Sequence, residues 1–193
     1  MDTTGYVKKQ TFYLVVVAAL ILGFLGGVVY SVYRAPAVGN ESQEAGRQHE
    51  ATQAIAALEK AVLDKPNDGQ AWVELGHAYF DTGQAKNAIA AYNKALELLP
   101  GDLNVMTDLG VMYHQDNQHQ KGIEMFDQVL KLNPQHEQAR FNKGVVLLTG
   151  LNDRKGALAE WKTLVQYHPM AAAPSGKMVA DLIDQMEKEG AKP

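Results

Sequence analysis

The 193-residue chain has no cysteine, which excludes disulfides, thiolate metal sites, thiol nucleophiles and C-x-x-C-H haem attachment. Tryptophan occurs twice, proline seven times, and only one apolar stretch is long. Positive charge is short as well: from Ala35 onward 15 Lys and Arg face 21 Asp and Glu, a net charge of −6. A surface of that sign does not suit nucleic acid. There is no Walker-type glycine loop, H-E-x-x-H or G-x-S-x-G. The histidines, His49, His77, His114, His119, His136 and His168, are scattered, and a five-residue spacing places His114 and His119 poorly on one helix face. No catalytic residue, cofactor or metal ligand is expected, and the chain reads as non-enzymatic.

What is present begins with an uncharged run over residues 12–33, mostly Val, Leu, Ala, Gly, Ile, Phe and Tyr. A helix of about 20 such residues crosses a hydrocarbon core of roughly 30 Å. Lys8 and Lys9 precede the run, Arg34 follows it, and Tyr13, Tyr30 and Tyr33 lie near its ends, where amphipathic rings favour the interface. The expectation is a tail over residues 1–11 and a transmembrane helix over residues 12–33. The heavier positive charge on the amino-terminal side predicts a cytoplasmic tail, with the rest of the chain in the periplasm of a bacterium. The alternative is a cleaved signal peptide, because Ala35-Pro36-Ala37 loosely matches a small-x-small site. The apolar run is long for that role, and Arg34 intrudes. Gly23 and Gly27 form a G-x-x-x-G that would allow a homodimer through the membrane helix. Pro36 and Gly39 predict a linker over residues 34–40.

Beyond the linker, Pro66, Pro100, Pro134 and Pro169 recur at intervals of 34, 34 and 35 residues. Alignment on these prolines brings Trp72, Leu75, Gly76, Tyr79, Ala88, Tyr92, Ala95 and Pro100 into phase with Met106, Leu109, Gly110, Tyr113, Gly122, Phe126, Val129 and Pro134. A third copy keeps Gly144 and, after one extra residue near 151–154, Ala157, Trp161, Leu164 and Pro169. Arg140 and Lys143 in that copy stand where the first two carry large apolar groups. Ala54, Leu58, Ala61 and Pro66 continue the phase backwards.

The run Trp72 to Pro100 resembles the tetratricopeptide repeat, W-x-x-L-G-x-x-Y, A-x-x-x-F and a closing P. The resemblance implies an all-α solenoid of helix-turn-helix units behind the transmembrane helix. The expected divisions are a half-repeat helix over residues 41–68, repeats over 69–102, 103–136 and 137–171, and a capping helix and tail over 172–193. Met178, Val179, Leu182, Ile183 and Met186 set that cap within Ser175 to Glu189.

In this family the first helices of the units line a concave groove that takes a peptide. Mapped through the pattern, the groove would hold Val73, His77 and Phe80 from the first unit. Thr107, Val111 and His114 come from the second, and Phe141, Val145 and Leu148 from the third. The set is mostly apolar. It lacks the Lys, Arg and Asn cluster with which some relatives grip a carboxy terminus.

The arrangement is similar to periplasmic tetratricopeptide subunits that assist cytochrome c maturation. It implies a membrane-anchored scaffold that binds a peptide or partner subunit. The alternatives are a cytosol-facing organelle import receptor and a self-assembling structural repeat protein.

Overall fold

The computed structural model describes residues 38–190, which form eight helices. They are α1 (Val38–Asp64), α2 (Gly69–Asp81), α3 (Ala85–Leu98), α4 (Leu103–Gln115), α5 (His119–Leu132), α6 (Glu137–Thr149), α7 (Arg154–Tyr167) and α8 (Val179–Gly190). The chain divides into two compact units, Met1–His49 and Glu50–Pro193, and α2 to α8 belong to the second. The expected membrane helix over 12–33, with Gly23 and Gly27, lies outside the described residues. Among the described residues no helix is long and apolar enough to cross a membrane.

Helix starts follow from capping chemistry. Asp68 accepts a hydrogen bond from the Ala71 amide (3.1 Å), and Asp102 accepts from those of Asn104 and Val105 (3.0 and 3.2 Å). His136 Nδ1 accepts from Ala139 (3.2 Å), and Asp153 accepts from Gly156 (2.8 Å). Each answers one or two of the amides that a helix leaves open at its start. The turn inside each unit needs one residue in the left-handed region, supplied in phase by Gly83 (φ 69°), Asn117 (φ 60°) and Asn152 (φ 54°). The extra residue of the third unit is Leu151, added between the end of α6 and Asn152, so the turn absorbs it.

Within a unit the two helices cross closely because the first carries glycine where the second carries an aromatic ring. A Cβ on Gly76 would lie 2.4 Å from the Tyr92 ring, one on Gly110 2.6 Å from Phe126, and one on Gly144 2.2 Å from Trp161. Tyr92 and Phe126 are fully buried and Trp161 is nearly so. Between units the second helix meets the next first helix. Tyr79 on α2 donates its hydroxyl to Glu59 on α1, and one unit later Asn93 on α3 donates to the Tyr113 hydroxyl on α4 (3.4 Å). Burial and the Glu59 carboxylate push the Tyr79 hydroxyl up to about 12.

The third unit solves its packing with charge. Glu160 on α7 receives Arg140 through one oxygen and Lys143 through the other, both at 2.7 Å, and Lys143 also reaches Asp127 on α5 at 2.6 Å. Burial alone would lower the Lys143 ammonium, but the two carboxylates more than offset it and raise its pKa. Arg140 donates to the Pro134 carbonyl (2.7 Å), as the Trp72 indole does to that of Pro66 (3.0 Å). The two cations thus keep the phase of Trp72 and Leu75 by pairing instead of by apolar contact.

Two boundaries differ from expectation. α1 begins at Val38, inside the stretch read as linker, because Gly39 costs only about 1 kcal/mol in a long helix and does not break it. α8 begins at Val179 rather than near Ser175. Pro174 and Gly176 (φ 82°) turn the chain there, and residues Ala172 and Met178 pair as an isolated antiparallel bridge. Val179, Ile183 and Met186 then cover Trp161, Leu164 and Ala171.

Truncating Glu160 strands the poorly hydrated Arg140 and leaves Lys143 with Asp127 alone. Glu160→Ala should cost about 3–5 kcal/mol in urea unfolding, whereas Arg140→Met, Lys143→Leu and Glu160→Leu together should be near neutral. Equal losses for the single and the triple variant would show that the ion network does not hold this unit.

Candidate functional site

α2 touches α4, and α4 touches α6, whereas among the described residues the second helices α3, α5 and α7 do not approach one another. First helices that meet and second helices that splay make the α2, α4, α6 layer the inner, concave side. Val73 (5% exposed) and Thr107 (0%) lie beneath the surface. Val73 belongs to the first core cluster, and the Thr107 hydroxyl donates to the Leu103 carbonyl at 2.7 Å, so both support the groove without lining it. Phe80 and Val111 are half-buried and pack on that same cluster. Phe141 stacks on Trp161 with ring centroids 5.9 Å apart, and Val145 and Leu148 pack with it on the carboxy-terminal cluster.

The two expected groove histidines, one from each of the first two units, carry the polar features of the face. His77 is exposed, and its Nε2 stands 3.3 Å from Asp108 on α4. Burial raises the Asp108 carboxyl, and the neighbouring His77 opposes that rise. His114 Nδ1 faces His119 Nδ1 at 2.9 Å, and its Nε2 lies 3.3 Å from the Thr149 hydroxyl on α6. Gly150 makes room for this contact, because a Cβ there would lie 2.7 Å from the His119 ring. Where α6 meets the segment after α7, Glu137, Gln138, Phe141, Asn142, Ala172 and Pro174 bound a cavity of about 420 Å³. Among the described residues no three His, Asp or Glu side chains gather as a metal site would require.

Sequence reasoning missed Asp108 and the histidine pair for different reasons. Asp108 is 31 positions from His77, a separation that becomes a contact only through the repeat stacking. Helix spacing separates His114 from His119, but α4 ends at Gln115 and α5 begins at His119, so a turn folds the two rings together. The turn residue Asn117 was the available signal.

Two half-buried histidines give the fold an acid limit. Burial lowers the pKa of His114, with the neighbouring His119 adding to it, and burial likewise lowers that of His136, which must stay neutral at Nδ1 to cap α6. A depressed folded pKa means that the unfolded chain binds more protons. The stability is complete above the ordinary value of 6.5 and is lost as pH falls through the folded values. The urea midpoint should therefore drop from about pH 7 to about pH 5, and by less in His136→Asn, where the cap no longer titrates. An identical drop in wild type and variant would contradict the capping role.

No curated protein matches this sequence significantly. Structural neighbours share the fold at low identity. The crystal structure of MamA is 21% identical, with a TM-score of 0.58 over 69% of this chain and 76% of that one. The Sgt2 TPR domain from Aspergillus fumigatus is 19% identical, with a TM-score of 0.57 over 65% of this chain and 85% of that one. The first TPR of Spaghetti, bound to an HSP90 peptide, is 16% identical, with a TM-score of 0.56 over 64% of this chain and 94% of that one. The family described as the cytochrome c-type biogenesis protein H TPR domain matches residues 35–173. With most of its length matched, the chain belongs to that family of tetratricopeptide repeat domains.

Proposed function

We propose that this protein is a membrane-tethered scaffold for the assembly of c-type cytochromes, and that its concave face captures a segment of a client polypeptide. The match over residues 35–173 to a family named for cytochrome c biogenesis carries the reading. The geometry supports it: a face of half-buried apolar side chains, Phe80, Val111, Phe141, Val145 and Leu148, is interrupted by the His77–Asp108 and His114–His119 pairs. Such a face suits an apolar segment with a few hydrogen-bonding groups. It lacks the cationic clamp that would hold an acidic tail, since no Lys or Arg occupies the mapped groove positions. Chemistry on the client is left to other proteins, and this chain holds the substrate.

In this reading residues 12–33 anchor the chain and the repeats lie outside the cytoplasm. Protease added outside the inner membrane, after permeabilisation of the outer membrane, should then digest the repeats, and their protection would contradict the topology.

Haem-free apocytochrome c, titrated into the detergent-solubilised full chain and followed by fluorescence anisotropy, should bind better than the folded, haem-bearing protein. Phe80→Ala should weaken capture by about 1–3 kcal/mol, with thermal melting run alongside because Phe80 also touches the core. Raising salt from about 50 to about 500 mM should change affinity little, because the contact is mainly apolar. Equal binding of apo and holo protein, or collapse of binding with salt, would overturn the reading.

A further inference from the structure

His114 and His119 are brought together by a turn that is specified from two units. Asn117 (φ 60°) reverses the chain between α4 and α5. Gly150, in the third unit, clears the space for the His119 ring, since a Cβ there would stand 2.7 Å from it. The two rings meet Nδ1 to Nδ1 at 2.9 Å, with their planes inclined by 49°.

The protons of this pair can be placed from its neighbours. Thr149 donates its hydroxyl to the Val145 carbonyl at 2.8 Å, so its oxygen, 3.3 Å from His114 Nε2, accepts there. His114 therefore carries its proton on Nε2 and turns the lone pair of Nδ1 toward His119. A metal-ligating imidazole is oriented in the same way, by an acceptor on its far nitrogen. Without metal, the Nδ1–H of His119 donates into that lone pair. When the His119 proton moves to its own Nε2, both Nδ1 lone pairs become available, and no net proton leaves the pair.

The separation of the two nitrogens distinguishes between metals. Nitrogens that bind one ion at about 2.0–2.1 Å stand about 2.9 Å apart in adjacent square-planar positions and about 3.3 Å apart in a tetrahedral site. The observed 2.9 Å is the square-planar value, the geometry of copper(II) and nickel(II) rather than of zinc. With equal ligands copper(II) binds the most tightly of the three. We propose that His114 and His119 are half of a copper(II) site, in which one ion is held through both Nδ1 atoms. A site closed by protein alone takes three or more side chains, and among the described residues no third His, Asp or Glu gathers here. Residues 1–37 and 191–193 contain no histidine. The remaining positions fall to water, which reaches the half-buried rings.

The purified full chain in detergent is titrated with copper(II) chloride, followed by calorimetry and, below one equivalent, by electron paramagnetic resonance. One saturable ion per chain is expected, with superhyperfine structure from both imidazole nitrogens and binding at least about tenfold weaker for zinc(II). His114→Ala and His119→Gln should each remove that step. His119→Gln keeps a donor beside His114 and should melt near wild type. Thr149→Val removes the acceptor for Nε2–H, so it should redistribute the His114 tautomers in nitrogen NMR and weaken copper by about tenfold, and Thr149→Ser should restore both. His168→Ala should leave the step unchanged. No saturable step, a step that survives His114→Ala or His119→Gln, or one lost in His168→Ala would overturn the proposal. So would a spectrum with a single nitrogen ligand, or zinc bound as tightly as copper. Unchanged tautomers in Thr149→Val would overturn the positioning role of Thr149. No client is present in these measurements, so their failure leaves client capture standing.

Discussion

The close crossing of the two helices within each unit is the contact on which everything else rests. Gly76 beneath Tyr92, Gly110 beneath Phe126 and Gly144 beneath Trp161 set the separation and angle of each pair. That angle decides how the next unit can stack. The ring fills the space that glycine vacates, so the contact is sensitive to volume in both directions. The three rings also differ in polarity, and the structure meets that difference unevenly. The Phe126 side chain has no polar atom, Trp161 donates its indole N–H to the Phe141 carbonyl at 3.0 Å, and the buried Tyr92 hydroxyl finds no partner among the described residues.

Stacking such pairs yields two unlike surfaces. First helices approach their neighbours and make an inner layer, where His77 meets Asp108 across α2 and α4 and His114 meets Thr149 across α4 and α6. These cross-unit contacts tie the recognition face to the repeat geometry, so a change in stacking alters the face. The carboxy-terminal end is closed by α8, apolar toward α7 and charged outward.

Much of this was legible in the sequence because a repeat states its own pattern more than once. The prolines at intervals of 34 and 35 residues fix the phase, and phase brings Gly76, Ala88 and Tyr92 into register with Gly110, Gly122 and Phe126. The same phase misread depth: Val73 and Thr107 occupy mapped groove positions yet are buried. Arg140 and Lys143 looked out of place since their carboxylates, Asp127 and Glu160, come from two other helices. Spacing along one helix also hid the His114–His119 contact, which a turn creates. In each case the missing information was tertiary: local sequence gives the period and the face of a helix but not what another helix brings to it.

The central claim is that a client lies along the inner layer. Amide hydrogen exchange of the full chain, with and without saturating apocytochrome c, tests it directly. Slower exchange confined to α2, α4 and α6, around Phe80, Val111 and Val145, is the result this account predicts. Protection confined to α3, α5 and α7, or none anywhere in the repeats, would contradict it.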